Sequence, residues 1–193
     1  IDQTQIADIS LLQGLRGLQG LALNSTQVSD VRALAGLSGL QELYLISTQV
    51  SDLRALAGLS GLQTLSLNNT QVSDLRALEG LSGLQRLYLG STQVSDLRAL
   101  EDMERLESIT FRGTPARTAD PALEKFSAIY GDREKVAELQ AYLRSRTPLE
   151  PSEPVETGPT FEPQDTGPIQ PPRDPAEIEE ALNQITTRIA HSD

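Results

Sequence analysis

The sequence predicts an α/β solenoid. Short parallel β-strands should line a concave face, short helical or 3-10 turns should line the convex face, and a helical cap should close the C-terminal end. Three observations carry this. Thr4, Thr26, Thr48, Thr70, Thr92 and Thr114 recur at a spacing of 22 residues. The four units between residues 15 and 102 each contain an L-x-L alternation, the period of a half-buried strand. Each also contains S-D-L/V-R-A-L, polar at its start with apolar residues three apart, the pattern of one tight capped turn.

Four full units run 15–36, 37–58, 59–80 and 81–102; a half unit, TQIADISLLQG (4–14), precedes them and a degenerate one, MERLESITFRGTP (103–115), follows. The framework reads L-x-x-L-x-x-L-x-L-x-x-T-x-V-S-D-L-x-x-L, with Val31 replacing one leucine. A single unit cannot bury enough apolar surface to offset the entropy of ordering its chain. Stability must therefore come from stacking on neighbours, with parallel strands about 4.8 Å apart.

The framework resembles the leucine-rich repeat, in its 22-residue internalin-like and SDS22-like class, over about residues 1–115. It departs at one position: threonine stands where the family carries asparagine. A hydroxyl offers one donor and an amide two, so fewer backbone carbonyls should be satisfied along that edge. The resemblance implies a non-catalytic module that binds a protein partner through its concave strand face, within a larger bacterial protein.

The remaining organisation follows in order. Asp120-Pro121 is an N-cap with proline at the first helical position, so a helix is expected through Tyr130, stopping at Gly131. Asp132 should cap a second helix to about Arg146, with Val136, Leu139 and Leu143 on one stripe. Residues 116–146 thus form the expected helical cap, beyond a solenoid at 1–115. Residues 147–174 read as an acidic, Pro-rich disordered linker, since 147–175 hold nine of the eleven prolines and six acids against Arg173 alone. Within it, PIQPPR (168–173) fits the P-x-x-P-x-R pattern of polyproline ligands. An amphipathic helix is expected over 175–190, capped by Asp174, with Ile178, Ala181, Leu182, Ile185 and Ile189 on one face; it could contact another domain or subunit. Ile1 falls on the last strand leucine of a unit, so the chain is expected to begin inside a repeat, as a fragment would.

Composition narrows the function. The 193 residues carry a net charge of -11, no cysteine and one histidine, His191. No thiol chemistry or zinc-cysteine cluster is available, and a Ser-His-Asp centre would depend on His191 alone. No phosphate-loop motif occurs. The chain is therefore expected not to be an enzyme and to need no cofactor or metal. The acidic balance argues against nucleic acid, and no apolar run is long enough for a membrane helix. With no signal peptide visible, a cytoplasmic location is the expectation.

Two columns of charge repeat with the units. Asp30, Asp52, Asp74 and Asp96 should cap their turns, sharing the task with the preceding serines, rather than bind Ca²⁺. Arg32, Arg54, Arg76 and Arg98 should form a solvated column neutralised by those aspartates.

The positions flanking the strand leucines vary while the framework stays fixed. They face the concave side. The expected partner-binding set is Glu42, Tyr44, Ile46, Ser66, Asn68, Arg86, Tyr88, Thr110 and Arg112. Tyr44 and Tyr88 with Arg86 and Ile46 have the composition of an interface hot spot. Two rival readings stand beside it. The solenoid could be a structural spacer or an autoinhibitory arm whose C-terminal helix docks on a partner. It could also be the sensor of an enzyme whose catalytic domain lies outside these residues.

Overall fold

A computed structural model describes residues 6–146. Ile1, the linker at 147–174, its PIQPPR motif, the helix at 175–190 and His191 lie outside the described residues.

One six-stranded sheet runs in chain order: β1 (Gly20–Ala22), β2 (Glu42–Tyr44), β3 (Thr64–Ser66), β4 (Arg86–Tyr88), β5 (Ser108–Thr110) and β6 (Ala128–Ile129). β1 to β5 are parallel, and equivalent residues of successive repeats stand opposite each other, as in Leu43 against Leu65 and Leu65 against Leu87. The connections are 3-10 turns at Arg32–Leu34, Arg54–Leu56, Arg76–Leu78 and Arg98–Leu100, with an earlier one at Ser10–Leu12. The strands stay short because each repeat offers only one L-x-L before the chain turns.

The framework leucines form one continuous core. Leu43, Leu45, Leu65, Leu67, Leu87 and Leu89 on the strands, and Leu34, Leu56, Leu78 and Leu100 on the turns, are fully buried. No repeat encloses a core of its own. Each is covered by the repeats on either side, which is the nearest-neighbour stability that stacking requires.

Three devices shape each repeat and its fit to the next. First, each framework threonine among the described residues turns its hydroxyl inward and donates to the carbonyl three residues earlier: Thr26 to Leu23, Thr48 to Leu45, Thr70 to Leu67, Thr92 to Leu89 and Thr114 to Phe111, at 2.7–2.8 Å. The single donor of each hydroxyl is spent within its own repeat. Second, the chain then bends through a left-handed residue, φ 57° at Ser25, Ser47, Asn69 and Ser91, and φ 72° at Gly113 in the same register. Third, the glycine of the L-S-G-L step lets adjacent backbones touch. A Cβ on Gly83 would lie 2.5 Å from the Ser60 carbonyl oxygen, and one on Gly39 would lie 2.3 Å from that of Arg16.

On the convex side each aspartate accepts the backbone N–H two residues on, at 2.9 Å, and pairs with that residue's guanidinium at 2.6 Å: Asp30 with Arg32, Asp52 with Arg54, Asp74 with Arg76 and Asp96 with Arg98. The aspartate closes its turn from one residue ahead of the formal cap. The preceding serines add no side-chain hydrogen bond, so the shared capping expected from the sequence is not made. The arginine side-chain hydrogen bonds hold the four carboxyls below the usual range.

The C-terminal end differs from the sequence expectation in one respect. Helix α1 (Pro115–Ala119) and a 3-10 stretch (Pro121–Phe126) follow the last repeat, and Asp120 caps the latter by accepting from Ala122 N–H at 3.1 Å. The helix expected to reach Tyr130 ends at Phe126. Residues Ala128–Ile129 instead turn into β6 and pair antiparallel with β5. The cause is an edge that needs partners: Phe111 N–H donates to the Ser127 carbonyl at 2.9 Å, and Gly131 N–H to the Ser108 hydroxyl at 2.8 Å. Helix α2 (Arg133–Ser145) is capped by Asp132, as the sequence predicts, and buries Val136, Leu139 and Leu143 against the last repeat. Gln140, nearly buried, donates from Nε2 to the carbonyls of Leu100 (2.8 Å) and Met103 (3.1 Å), while Arg144 reaches the Glu101 carbonyl.

Candidate functional site: the concave strand face

Alternation along each strand decides which side chains face outward. The middle residue of β1–β5 points into the core, so the residues on either side stand on the concave face. Pairing registers align them into columns. One column reads Gly20, Glu42, Thr64, Arg86, Ser108; the other reads Ala22, Tyr44, Ser66, Tyr88, Thr110.

The two tyrosines are in register with Ser66 between them, two strand spacings or about 9.6 Å apart. Tyr44 donates its hydroxyl to Glu42 Oε2 at 3.2 Å. Its phenol is pushed above the ordinary value, first by burial and then by the hydrogen bond to Glu42, while the charge of Arg86 opposes the rise. Arg86 lies within 3.5 Å of the Thr64 hydroxyl. Among the described residues neither Arg86 nor Arg112 forms an ion pair with a carboxylate, and both are exposed. The face thus offers two half-buried aromatic rings, two free guanidiniums and one carboxylate.

Not every expected residue is available for contact. Glu42, Arg86 and Arg112 are exposed, and Tyr44, Ile46 and Tyr88 are half-buried. Ser66 and Thr110 occupy the expected columns but keep only 2% and 9% of their surfaces exposed. They form floor between larger neighbours. Asn68 works within the fold: its Oδ1 accepts the Gly90 N–H at 2.7 Å, as Asn24 accepts that of Ile46 at 3.0 Å.

One exposed residue that the sequence reading omitted stands at the end of the sheet. Tyr130 follows β6 directly, at a bend, after the buried Ile129. It is 70% exposed, the most exposed aromatic among the described residues. The antiparallel register of β5 and β6 ends with Ile109 opposite Ile129, the residue just before it. The signal was a short alternation, Ser127-Ala128-Ile129-Tyr130, ahead of Gly131, whose φ is 64°.

The convex aspartates are each engaged by an arginine. Among the described residues no group of three histidines, cysteines or carboxylates is placed to hold a metal ion. Among the same residues no helix is long and apolar enough to cross a membrane.

A ladder of in-register L-x-L strands on 3-10 turns, one strand and one turn per repeat, is the architecture of a leucine-rich-repeat solenoid. Residues 38–82 match the family model described as Leucine Rich repeats, two copies. Two solved structures from Listeria monocytogenes are similar. One is an internalin (inlF), with a TM-score of 0.54 and 32% identity over 57% of this chain and 33% of that one. The other is internalin C2, with a TM-score of 0.55 and 34% identity over 58% of this chain and 50% of that one. The solenoid is a leucine-rich-repeat fold of the internalin-like kind. The chain spans between a third and a half of the length of these two structures. No curated protein sequence matches it.

Proposed function

We propose that this solenoid is a non-catalytic recognition module that binds a protein partner through its concave face. The observation that carries the reading is the cluster on β2 and β4. Tyr44, Tyr88, Arg86 and Glu42 stand in register on a parallel sheet, with Ile46 and Arg112 further along β2 and β5 in the same outward alternation. Tyrosine and arginine are the residue types that dominate binding energy at interfaces. Held on strands rather than loops, they lose little conformational freedom on binding. Leucine-rich-repeat sequence and internalin-like structure support a protein-interaction role in general. Ser66, Asn68 and Thr110 shape the surface from below.

The test is capture of partners from a lysate of the source organism by wild type and by a Tyr44→Ala/Arg86→Ala/Tyr88→Ala variant. Circular dichroism confirms that the variant is folded. The reading expects at least one protein to be retained by wild type and lost by the variant. Retention of every captured protein by the variant refutes it.

A further inference from the structure

The position just past each L-x-L holds Asn24, Ile46, Asn68, Gly90 and, in the last repeat, Arg112. The backbone N–H at this position points toward the same position of the preceding repeat. Where that preceding residue is asparagine, its Oδ1 accepts the bond: Asn24 from Ile46 at 3.0 Å, and Asn68 from Gly90 at 2.7 Å. Two N–H groups are not served in this way. Asn68 comes one repeat after Ile46 and Arg112 one repeat after Gly90, and neither preceding residue has a side-chain acceptor. Among the described residues the N–H groups of Asn68 and Arg112 form no hydrogen bond.

The two places differ in chemistry. At the first, the preceding residue is apolar and Asn68 brings no charge. At the second, the preceding residue has no side chain and Arg112 brings a cation. A Cβ on Gly90 would have the Asn68 Oδ1, at 3.0 Å, and the Arg112 carbonyl oxygen, at 3.7 Å, among its nearest neighbours. Both oxygens are already engaged, by the Gly90 and Ser91 N–H groups at 2.7 Å. The groups left open around Gly90 are therefore donors: the Arg112 N–H and the Arg112 guanidinium, which is exposed and makes no ion pair among the described residues.

We propose that the Gly90–Arg112 step is a carboxylate-binding subsite of the concave face, and that it takes an aspartate or glutamate side chain of the protein partner. This rests on the reading of the concave face as the recognition surface and names the chemistry read at one point of it. One carboxylate oxygen accepts the Arg112 N–H, in the place that Asn68 Oδ1 fills for Gly90 one repeat earlier. The other accepts from the Arg112 guanidinium. Charge-assisted hydrogen bonds of this kind are about twice as strong as neutral ones. One guanidinium balances one negative charge, which suits a carboxylate better than a phosphate dianion. The other unpaired guanidinium of this face, that of Arg86, begins about 13 Å of strand before Gly90 and has its Nη1 by the Thr64 hydroxyl, at 3.5 Å.

Gly90→Asn tests the assignment directly. It supplies from within the chain the acceptor that Asn24 and Asn68 supply elsewhere, so the melting midpoint should rise while the subsite closes. The full chain, ¹⁵N-labelled, is titrated with sodium acetate in exchange for sodium chloride at constant ionic strength. In wild type the Arg112 amide proton should move downfield and saturate in the millimolar range, while the Gly90 amide, already bonded to Asn68, stays in place. Gly90→Asn should abolish the response at Arg112, and Arg112→Gln should weaken it several-fold. An Arg112 amide that moves no further in acetate than in chloride overturns the proposal, as does a response that survives both substitutions. If the 3.0 Å approach to Asn68 destabilises Gly90→Asn, Arg112→Gln carries the test alone. A second arm fixes the source of the carboxylate. A random-peptide display library is selected on wild type and counter-selected on Arg112→Gln; the recovered peptides should be enriched in aspartate and glutamate, and a pool without that enrichment overturns the assignment to a partner's acidic side chain. The titration needs no partner, so its failure leaves the recognition reading intact. That reading fails on its own test, when no captured protein is lost on alanine substitution of Tyr44, Arg86 and Tyr88.

Discussion

Replacing Thr70 by valine separates two accounts of the threonine ladder. Thr70 is 1% exposed and donates its hydroxyl to the Leu67 carbonyl at 2.7 Å. Valine has nearly the same shape, exchanging the hydroxyl for a methyl. If burial of apolar surface alone governed the site, the extra methyl would stabilise the protein by about 0.8 kcal/mol. If the hydrogen bond governs it, the Leu67 carbonyl is orphaned inside the stack and the protein loses about 1–3 kcal/mol. The two accounts differ in sign. For a folded unit of this size 1 kcal/mol moves the melting temperature by about 4 °C, so Thr70→Val should lower the midpoint by roughly 4–12 °C. Thr92→Val provides a graded control. The Leu89 carbonyl receives a second, longer bond from the Thr92 N–H at 3.3 Å, so it is not wholly abandoned and the loss should be smaller. Thermal melts by far-UV circular dichroism suffice, since the chain has no tryptophan. An unchanged or raised midpoint for Thr70→Val would refute the reasoning.

Three further outcomes are expected. Gly83→Ala forces a Cβ to within 2.5 Å of the Ser60 carbonyl and should cost about 1–3 kcal/mol in urea unfolding, whereas Gly58→Ala meets nothing within 4 Å and should be neutral or mildly stabilising. Ser47→Gly relieves a left-handed serine at φ 57° and should raise the melting midpoint; strain of about 1–2 kcal/mol exceeds glycine's entropic penalty of about 0.5–1 kcal/mol. The depressed carboxyls of Asp30, Asp52, Asp74 and Asp96 bind protons less readily folded than unfolded. Their stabilisation is thus complete above the unfolded value of about 3.9 and is lost as pH falls through the lower folded values. Asp52→Asn/Asp74→Asn should flatten the acid limb of a stability–pH curve below about pH 4, and roughly 1 M salt should shrink the difference because these pairs are exposed.

The solenoid was legible because every repeat states the same solution. Leucines at fixed offsets, recurring in unit after unit, leave no other arrangement that buries them all, and those of the central repeats are buried. The Asp132 cap and the Val136-Leu139-Leu143 stripe were legible for a similar reason: a cap and a helical period define a helix locally. The stretch from Pro121 to Tyr130 was not. Leu123, Phe126 and Ile129, at spacings of three, suit a helix as well as the observed turn and strand. The choice was made by the open carbonyls and N–H groups of β5, which no local pattern reveals. Tyr130 was missed with it, because a residue read as the end of a helix is not looked for at the end of a sheet. On the concave face, sequence alternation identified which residues point outward but not their depth. Ser66 and Thr110 are closed off because their in-register neighbours, one full repeat away in the chain, are larger.

That difference in depth follows from a second period, twice the first. The framework recurs in every repeat, but the outward positions recur only in every second one: small on β1, β3 and β5, and large on β2 and β4. At about 4.8 Å between strands, two adjacent tyrosines in register would have to stack ring on ring, whereas a serine between them leaves each ring room to lie partly down on the sheet. Tyr44 and Tyr88 are accordingly half-buried, and Tyr44 is held further by its bond to Glu42. Tyr130, at the end of the sheet with no following strand to cover it, stands free. Near-identical repeats would make a featureless ladder if the outward residues repeated too. Alternating size converts that ladder into ridges and floors at fixed spacing, with the rings held in set orientations.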